Sequence, residues 1–301
     1  MVLWPPGGSP RGSPLLVAES GGSTSENESG TTDTFTVVLN AQPTSDVLLS
    51  LTASDATEAS VTSSLTFTPA NWNTAQTVTV TGLNESTVDG DQTSTITISV
   101  VDAVSNDSFD PVADQTVTVS TVDNDTAGFT IVQTGGSTSV SEAGTTDTFT
   151  IVLNAQPISD VVLTVTSSDT GEATVNSPLT FTAANWNTPQ TVTVTGINEN
   201  IVDGTITSTI TIAVDDANSD NNFDPVANQT VSATTVDDDV AGFTIVQTGG
   251  STGVAETGTT DTFTIVLNAQ PASDVVLSIT SGDTGEASTT STLTFTAGNW
   301  D

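Results

Sequence analysis

The stretch Thr-Thr-Asp-Thr-Phe-Thr-Ile-Val-Leu-Asn-Ala-Gln-Pro at Thr145–Pro157 constrains this chain more than any other. It recurs at Thr259–Pro271, and again at Thr31–Pro43 with Val37 in place of Ile151. The offsets 145 − 31 and 259 − 145 are both 114. A period of that length is too long for a solenoid turn and matches one whole small domain. The 301 residues therefore read as tandem copies of one domain. Repeat 1 spans 14–127, repeat 2 spans 128–241, and repeat 3, cut short, spans 242–301. Residues 1–13 do not match the repeat and hold Arg11, the one basic residue. They lack a charged start followed by an apolar core, so they read as a disordered or non-native tail, not a signal peptide. Both ends give the expectation of a fragment of a longer protein.

Repeat 2 is complete and serves as the reference. Thr146–Leu153 alternates, with Phe149, Ile151 and Leu153 on one face and Thr148 and Thr150 on the other. A period of two is the pattern of a half-buried strand. Strands are expected at Gly128–Thr134 (A), Thr146–Leu153 (B), Val161–Thr166 (C), Pro178–Thr182 (D), Thr191–Gly196 (E), Thr207–Val214 (F) and Thr230–Val236 (G). Gly, Pro, Asn and Asp mark the turns between them. No segment has a helical period with a cap. Seven short Thr/Val/Ile-rich strands predict an all-β fold of tandem immunoglobulin-like β-sandwiches. The expected core of repeat 2 is Phe149, Ile151, Leu153, Leu179, Phe181 and Ile210. Almost no linker separates the copies, which favours a rod over freely jointed beads.

Composition narrows the chemistry. The chain has 36 acidic residues, one basic residue, no His and no Cys, for a net charge of −35. Such a surface repels nucleic acid and anionic membranes and suits cations. No apolar run is long enough to cross a membrane as a helix. Without His, Cys, Tyr or Lys, most nucleophilic and acid–base constellations are missing, and the chain does not read as an enzyme. Paired carboxylates could serve glycoside hydrolysis, but loops at a pole supply no cleft to raise one pKa.

In an up-and-down chain, loops A–B, C–D and E–F and the end of strand G reach the same pole. In repeat 2 that pole collects Glu142, Asp169, Glu172, Glu199, Asp203 and Asp237–Asp239. In repeat 1 it collects Glu28, Asp55, Glu58, Glu85, Asp89, Asp91, Asp123 and Asp125, with Asn124. Either these side chains splay into water or a cation sits among them. Hard oxygen donors without His or Cys select Ca²⁺, with Mg²⁺ the poorer fit because it demands strict octahedral geometry.

Ser141-Glu142 before strand B, the acids of the C–D loop, Asn84–Asp91 (NESTVDGD) before strand F and the terminal Val236–Asp239 (VDDD) resemble Calx-beta domains. Those are the Ca²⁺-binding sandwiches of sodium–calcium exchangers, found also as tandem repeats in large bacterial surface proteins. The resemblance covers nearly everything after the tail through short motifs. It implies the ligands Glu28, Asp55, Asp89, Asp91, Asp123 and Asp125 in repeat 1. In repeat 2 it implies Glu142, Asp169, Asp203, Asp237, Asp238 and Asp239. The chain departs from the family where Asn84-Glu85 and Asn198-Glu199 replace an acidic pair. The copies also differ from each other: Asp91 becomes Thr205, and Asp238 corresponds to Asn124. These departures imply a weaker or single-ion site, above all in repeat 2.

Plainer roles stand beside these. Loop acids are commonly just solvated. Glu142 could cap a turn, and Asp147, with Asp33 and Asp261, would satisfy loop amides. Trp72, Trp186 and Trp300 read as core plugs at the opposite pole rather than carbohydrate platforms. Phe109 and Phe223 would pin the F–G loop. The leading expectation is a Ca²⁺-stiffened repeat of a secreted or surface-anchored protein, such as an adhesin stalk. Its partners would be calcium ions, neighbouring repeats, and a host or cell-surface protein or glycan. The alternatives are a metal-free acidic spacer and a binding module that uses the F–G loops.

Overall fold

The computed structural model describes residues 14–301; the tail expected at 1–13 lies outside them. The chain divides into two compact units. One runs to Ala127 and includes Asn154–Ile158, and the other comprises Gly128–Leu153 and Ser159–Asp301.

The first unit holds β1 (Leu15–Glu19), β2 (Thr24–Asn27), β3 (Thr32–Leu39), β4 (Val47–Ala53), β5 (Ala59–Val61), β6 (Ser64–Phe67), β7 (Gln76–Gly82), β8 (Gln92–Val100) and β9 (Gln115–Val122). They form two sheets, β1-β3-β7-β5 and β2-β9-β8-β4-β6. Every neighbouring pair is antiparallel except β2–β9, which is parallel. The second unit repeats the arrangement. Its strands are β10 (Phe129–Gln133), β11 (Thr138–Ser141), β12 (Thr146–Leu153), β13 (Val161–Ser167), β14 (Ala173–Val175), β15 (Leu179–Phe181), β16 (Gln190–Gly196), β17 (Ile201–Val202), β18 (Ile206–Val214) and β19 (Gln229–Val236). Its sheets are β10-β12-β16-β14 and β11-β19-β18-β13-β15. This is an all-β fold of tandem immunoglobulin-like sandwiches. Phe149, Ile151, Phe181 and Ile210 are fully buried between the two sheets, and Leu153 and Leu179 nearly so.

Two legs expected as single strands each split between the sheets. The first leg pairs with β12 as β10 and then with β19 as β11. The crossing is made at Thr134–Gly136, where Gly135 and Gly136 have φ of 71° and 84°. That left-handed backbone is open to glycine at no steric cost. The second leg pairs with β16 as β14 and then with β13 as β15. So β11 and β14 occupy stretches that the sequence presented as loops.

Repeat 3 contributes β20 (Phe243–Gln247), β21 (Phe263–Leu267), β22 (Gln270–Pro271), β23 (Val275–Ser278) and β24 (Thr292–Phe295). β20 pairs with β21 and β23 with β24. Among the described residues no counterpart of β16 covers them, and Phe243 is 51% exposed where Phe129 is 3%.

Candidate metal centre

The strand directions carry the acids of each complete repeat to one pole. β11 runs parallel to β19, so Glu142 after β11 meets Asp237 and Asp239 after β19. The amide of Glu142 donates to the Val236 carbonyl at 3.1 Å. Gly196, at the end of β16, lets the Ser141 backbone come close; a Cβ there would collide with the Ser141 carbonyl. Glu172 enters from the start of β14, its carbonyl accepting the Ile197 amide at 2.9 Å. Glu199 and Asp203 flank β17.

Carboxylate oxygens of Glu142, Glu172, Glu199 and Asp203 all lie within 4.8 Å of one another. A second group, Glu142, Asp237 and Asp239, meets the same criterion and shares Glu142. Repeat 1 has the corresponding pair of groups, Glu28 with Glu85 and Asp89, and Glu28 with Asp123 and Asp125. Glu142 is 0% exposed and Glu28 1%. Neither carboxylate oxygen of Glu142 makes a hydrogen bond of ordinary geometry, although the Asp238 main-chain amide lies near enough to lower its pKa, and one oxygen each of Glu28, Glu85, Asp89 and Asp125 has no partner among the described residues.

The acid–base consequences follow from burial first and crowding second. Burial, then the charge of Asp237, pushes the Glu142 carboxyl up to about 7. Burial, then the charge of Asp89, does the same to Glu58. Glu28, Glu172, Glu199, Asp89, Asp125 and Asp239 are all raised, burial leading in each case. Asp237 is the exception. It is held below its ordinary value by accepting the amides of Gly204 (2.8 Å), Asp239 (2.7 Å) and Asp203 (3.2 Å). Asp237 thereby ties the 203–204 loop to the end of β19.

The residues expected as ligands divide. Glu28, Asp89, Asp123, Asp125, Glu142, Asp203, Asp237 and Asp239 lie in the clusters. Asp55, Asp91, Asp169 and Asp238 lie outside them. Asp55 accepts the amide of Thr57 at 2.9 Å, and Asp169 accepts that of Gly171 at 2.9 Å, as turn-closing side chains do. Asp91 accepts the Asp123 amide at 3.2 Å. Glu85, Glu172 and Glu199 join the clusters although they were outside the expected ligand set.

Other expectations resolve structurally. Asp147 accepts the amides of Ser139 (2.8 Å) and Thr148 (2.7 Å), so it clamps β11 against β12. Asp33 does the same for Ser25 (3.0 Å) and Thr34 (2.7 Å). Phe109 and Phe223 are buried, and Trp72 packs partly buried against the core.

The residues present fit a hard cation. Four carboxylates within 4.8 Å make six repelling pairs. At an effective dielectric of about 20 each pair is worth about 3–4 kcal/mol, before screening at exposed Asp203. Full ionisation would then rival the 5–15 kcal/mol that holds a domain together. No Lys, Arg or His among the described residues can neutralise them.

No family model matches the chain, and no curated protein does. Solved structures similar to it include the calcium binding domain CBD12 of CALX1.1, at 13% identity over 66% of this chain and 80% of that one, with a TM-score of 0.27. CBD12 from CALX1.2 aligns at 10% identity over 72% and 99%, with a TM-score of 0.28. Domains 4 and 5 of the S-layer protein SbsC align at 18% identity over 62% and 76%, with a TM-score of 0.29.

Proposed function

We propose that the acidic poles of repeats 1 and 2 bind Ca²⁺ and that the chain is a calcium-stiffened stalk segment of an extracellular or surface protein. One observation carries this reading. Glu142 is fully buried, neither of its oxygens makes a hydrogen bond of ordinary geometry, and carboxylates from three other strand ends crowd around it. A buried charge persists when it is paired or coordinates a metal. The described residues contain no basic side chain, and a cation from solution would supply the compensating charge once Glu142 is ionised. Oxygen-only donors in a flexible arrangement suit Ca²⁺ over Mg²⁺ or Zn²⁺. Millimolar extracellular calcium fits a site of modest affinity. No helix among the described residues is long and apolar enough to cross a membrane.

In each repeat the glutamate shared by both clusters would sit at the centre. Glu172, Glu199, Asp203, Asp237 and Asp239 would complete the set in repeat 2, and Glu85, Asp89, Asp123 and Asp125 in repeat 1. Calorimetric titration of chelator-treated protein with CaCl₂ and MgCl₂ tests this. Saturable Ca²⁺ uptake, weaker for Mg²⁺ and lost in the double variant Glu28→Gln, Glu142→Gln, is expected. No uptake at physiological ionic strength would leave the acidic-spacer reading in its place.

A further inference from the structure

The Asn-Ala-Gln-Pro that closes the recurring stretch has no part in the acidic clusters, yet in two of its three copies it is paired to a cluster loop. In the first unit, Gln156 is clamped between Ser86 and Val88. Its amide donates to the Ser86 carbonyl at 2.6 Å, and its carbonyl accepts the Val88 amide at 2.9 Å. This forms a parallel bridge, Thr87 to Gln156. In the second unit, the Gln270 amide donates to the Asn200 carbonyl at 2.6 Å, and β17 pairs parallel with β22. In the remaining copy, Asn40–Pro43, the Gln42 side chain donates to the Pro69 carbonyl at 2.8 Å, but among the described residues its main-chain amide and carbonyl are not paired to a loop. Burial follows the pairing. Ala155 and Ala269 are 2% and 5% exposed, while Ala41 at the same place in the remaining copy is exposed.

The clamping residues sit between cluster carboxylates. Ser86-Thr87-Val88 lies between Glu85 and Asp89, and Asn200-Ile201-Val202 between Glu199 and Asp203. The carboxylates leave the loop at both ends while the main-chain edge of its middle takes the turn. Fixing that middle removes backbone freedom that cation binding would otherwise have to remove.

We infer that Asn-Ala-Gln-Pro is a docking element recognised by the Glu-x-x-x-Asp loop of the preceding sandwich, and that docking and cation binding at that loop strengthen each other. The linkage rests on the calcium reading; the docking itself does not. Coupling between two sites is reciprocal, so a turn that orders the loop raises its cation affinity by the factor with which the cation tightens docking. The unpaired main-chain edge at Gln42 is then an acceptor for the same loop of another sandwich of this kind.

The test uses the full chain. Amide exchange followed by NMR in chelator should show Gln156 and Gln270 protected and Gln42 not. Equal exchange at all three overturns the docking. Ala155→Trp blocks the turn with a neutral side chain, and Ala41→Trp places the same change on the remaining copy. In a Glu142→Gln background, which silences repeat 2, Ca²⁺ titration should give about tenfold weaker binding for Ala155→Trp. Ala41→Trp should match the parent. Unchanged affinity in Ala155→Trp, with Gln156 exchange made rapid, overturns the linkage. Protected Gln156 in a protein that takes up no Ca²⁺ would sink the calcium reading and leave the docking standing.

Discussion

Glu142→Gln should raise the stability of repeat 2 in chelator and lower it in calcium. Without metal, the Glu142 carboxylate is buried with neither oxygen in a hydrogen bond of ordinary geometry, close to Asp237, Glu172 and Glu199. Leaving such a group unsatisfied costs about 1–3 kcal/mol, more when it is charged. The amide keeps the shape and the unmet hydrogen bonds but removes the repulsion. A gain of about 1 kcal/mol is expected at pH 7.5, or roughly 3–6 °C in the melting of a domain this size. With Ca²⁺ at about 100 times Kd, the parent gains about 2.7 kcal/mol, and the variant gains little. The order of the two proteins then inverts. Hydrogen exchange read at β16 reports repeat 2, and β7 serves as the internal control for repeat 1. A variant less stable in both conditions would show that Glu142 holds the fold by contacts independent of a cation. Equal stability in both would show that the crowding costs nothing.

Other outcomes follow from the same geometry. Glu58 and Glu142 move from 4.5 to about 7, so the folded chain retains protons that the unfolded chain gives up between those values. Metal-free stability should therefore fall as pH rises through that window, and saturating Ca²⁺ should flatten or reverse the trend. Melting curves in chelator that climb from pH 5 to 7.5 would refute this. Phe149→Ala empties a fully buried site on β12 and should cost about 3–5 kcal/mol in denaturant unfolding of repeat 2; a loss under about 1 kcal/mol would contradict the assigned strand face. Glu26 on β2 is 3% exposed with both oxygens unpartnered, where repeats 2 and 3 carry Val140 and Val254. Glu26→Val should stabilise repeat 1 by about 1–3 kcal/mol, measured by exchange at β7, and a loss would reveal a partner for the carboxylate.

The sandwich was legible where strands are long enough to show a period. Thr146–Leu153 alternates over eight residues and forms β12 with those bounds. It was not legible where one leg serves two sheets. β11 has four residues and β14 three, too few for alternation to stand out from a polar loop. That gap reached the site. Glu172 precedes β14, whose pairing with β16 carries it into the pole, whereas Asp169, three residues earlier, folds back on the Gly171 amide. Read as loop residues the two acids are equivalent, and only the short strand separates them. Glu199 was obscured in the same way, since β17 forms by pairing with a turn 69 residues further on, at Gln270.

The two repeats also show which part of the pole is built and which is adjustable. Glu142 is set by the sheet: its amide bonds Val236, its neighbour Ser141 packs against Gly196, and Asp147 clamps the strand before it. Glu28 has the same framework, with its amide on Val122 and Gly82 against Asn27. The 85–91 and 199–205 loops differ. In repeat 1, Asp91 accepts the Asp123 amide, whereas Thr205 in repeat 2 leaves Asp237 to take the amides of both Asp203 and Gly204. The sheets thus fix where the shared glutamate sits, each loop brings two carboxylates to it, and the loops differ in the hydrogen bonds that hold those carboxylates in place. A difference in cation affinity between the repeats is therefore expected to follow the loop. Exchanging residues 85–91 and 199–205 between repeats should carry that difference with them, while exchanging Glu28 and its strand for Glu142 and its strand should not.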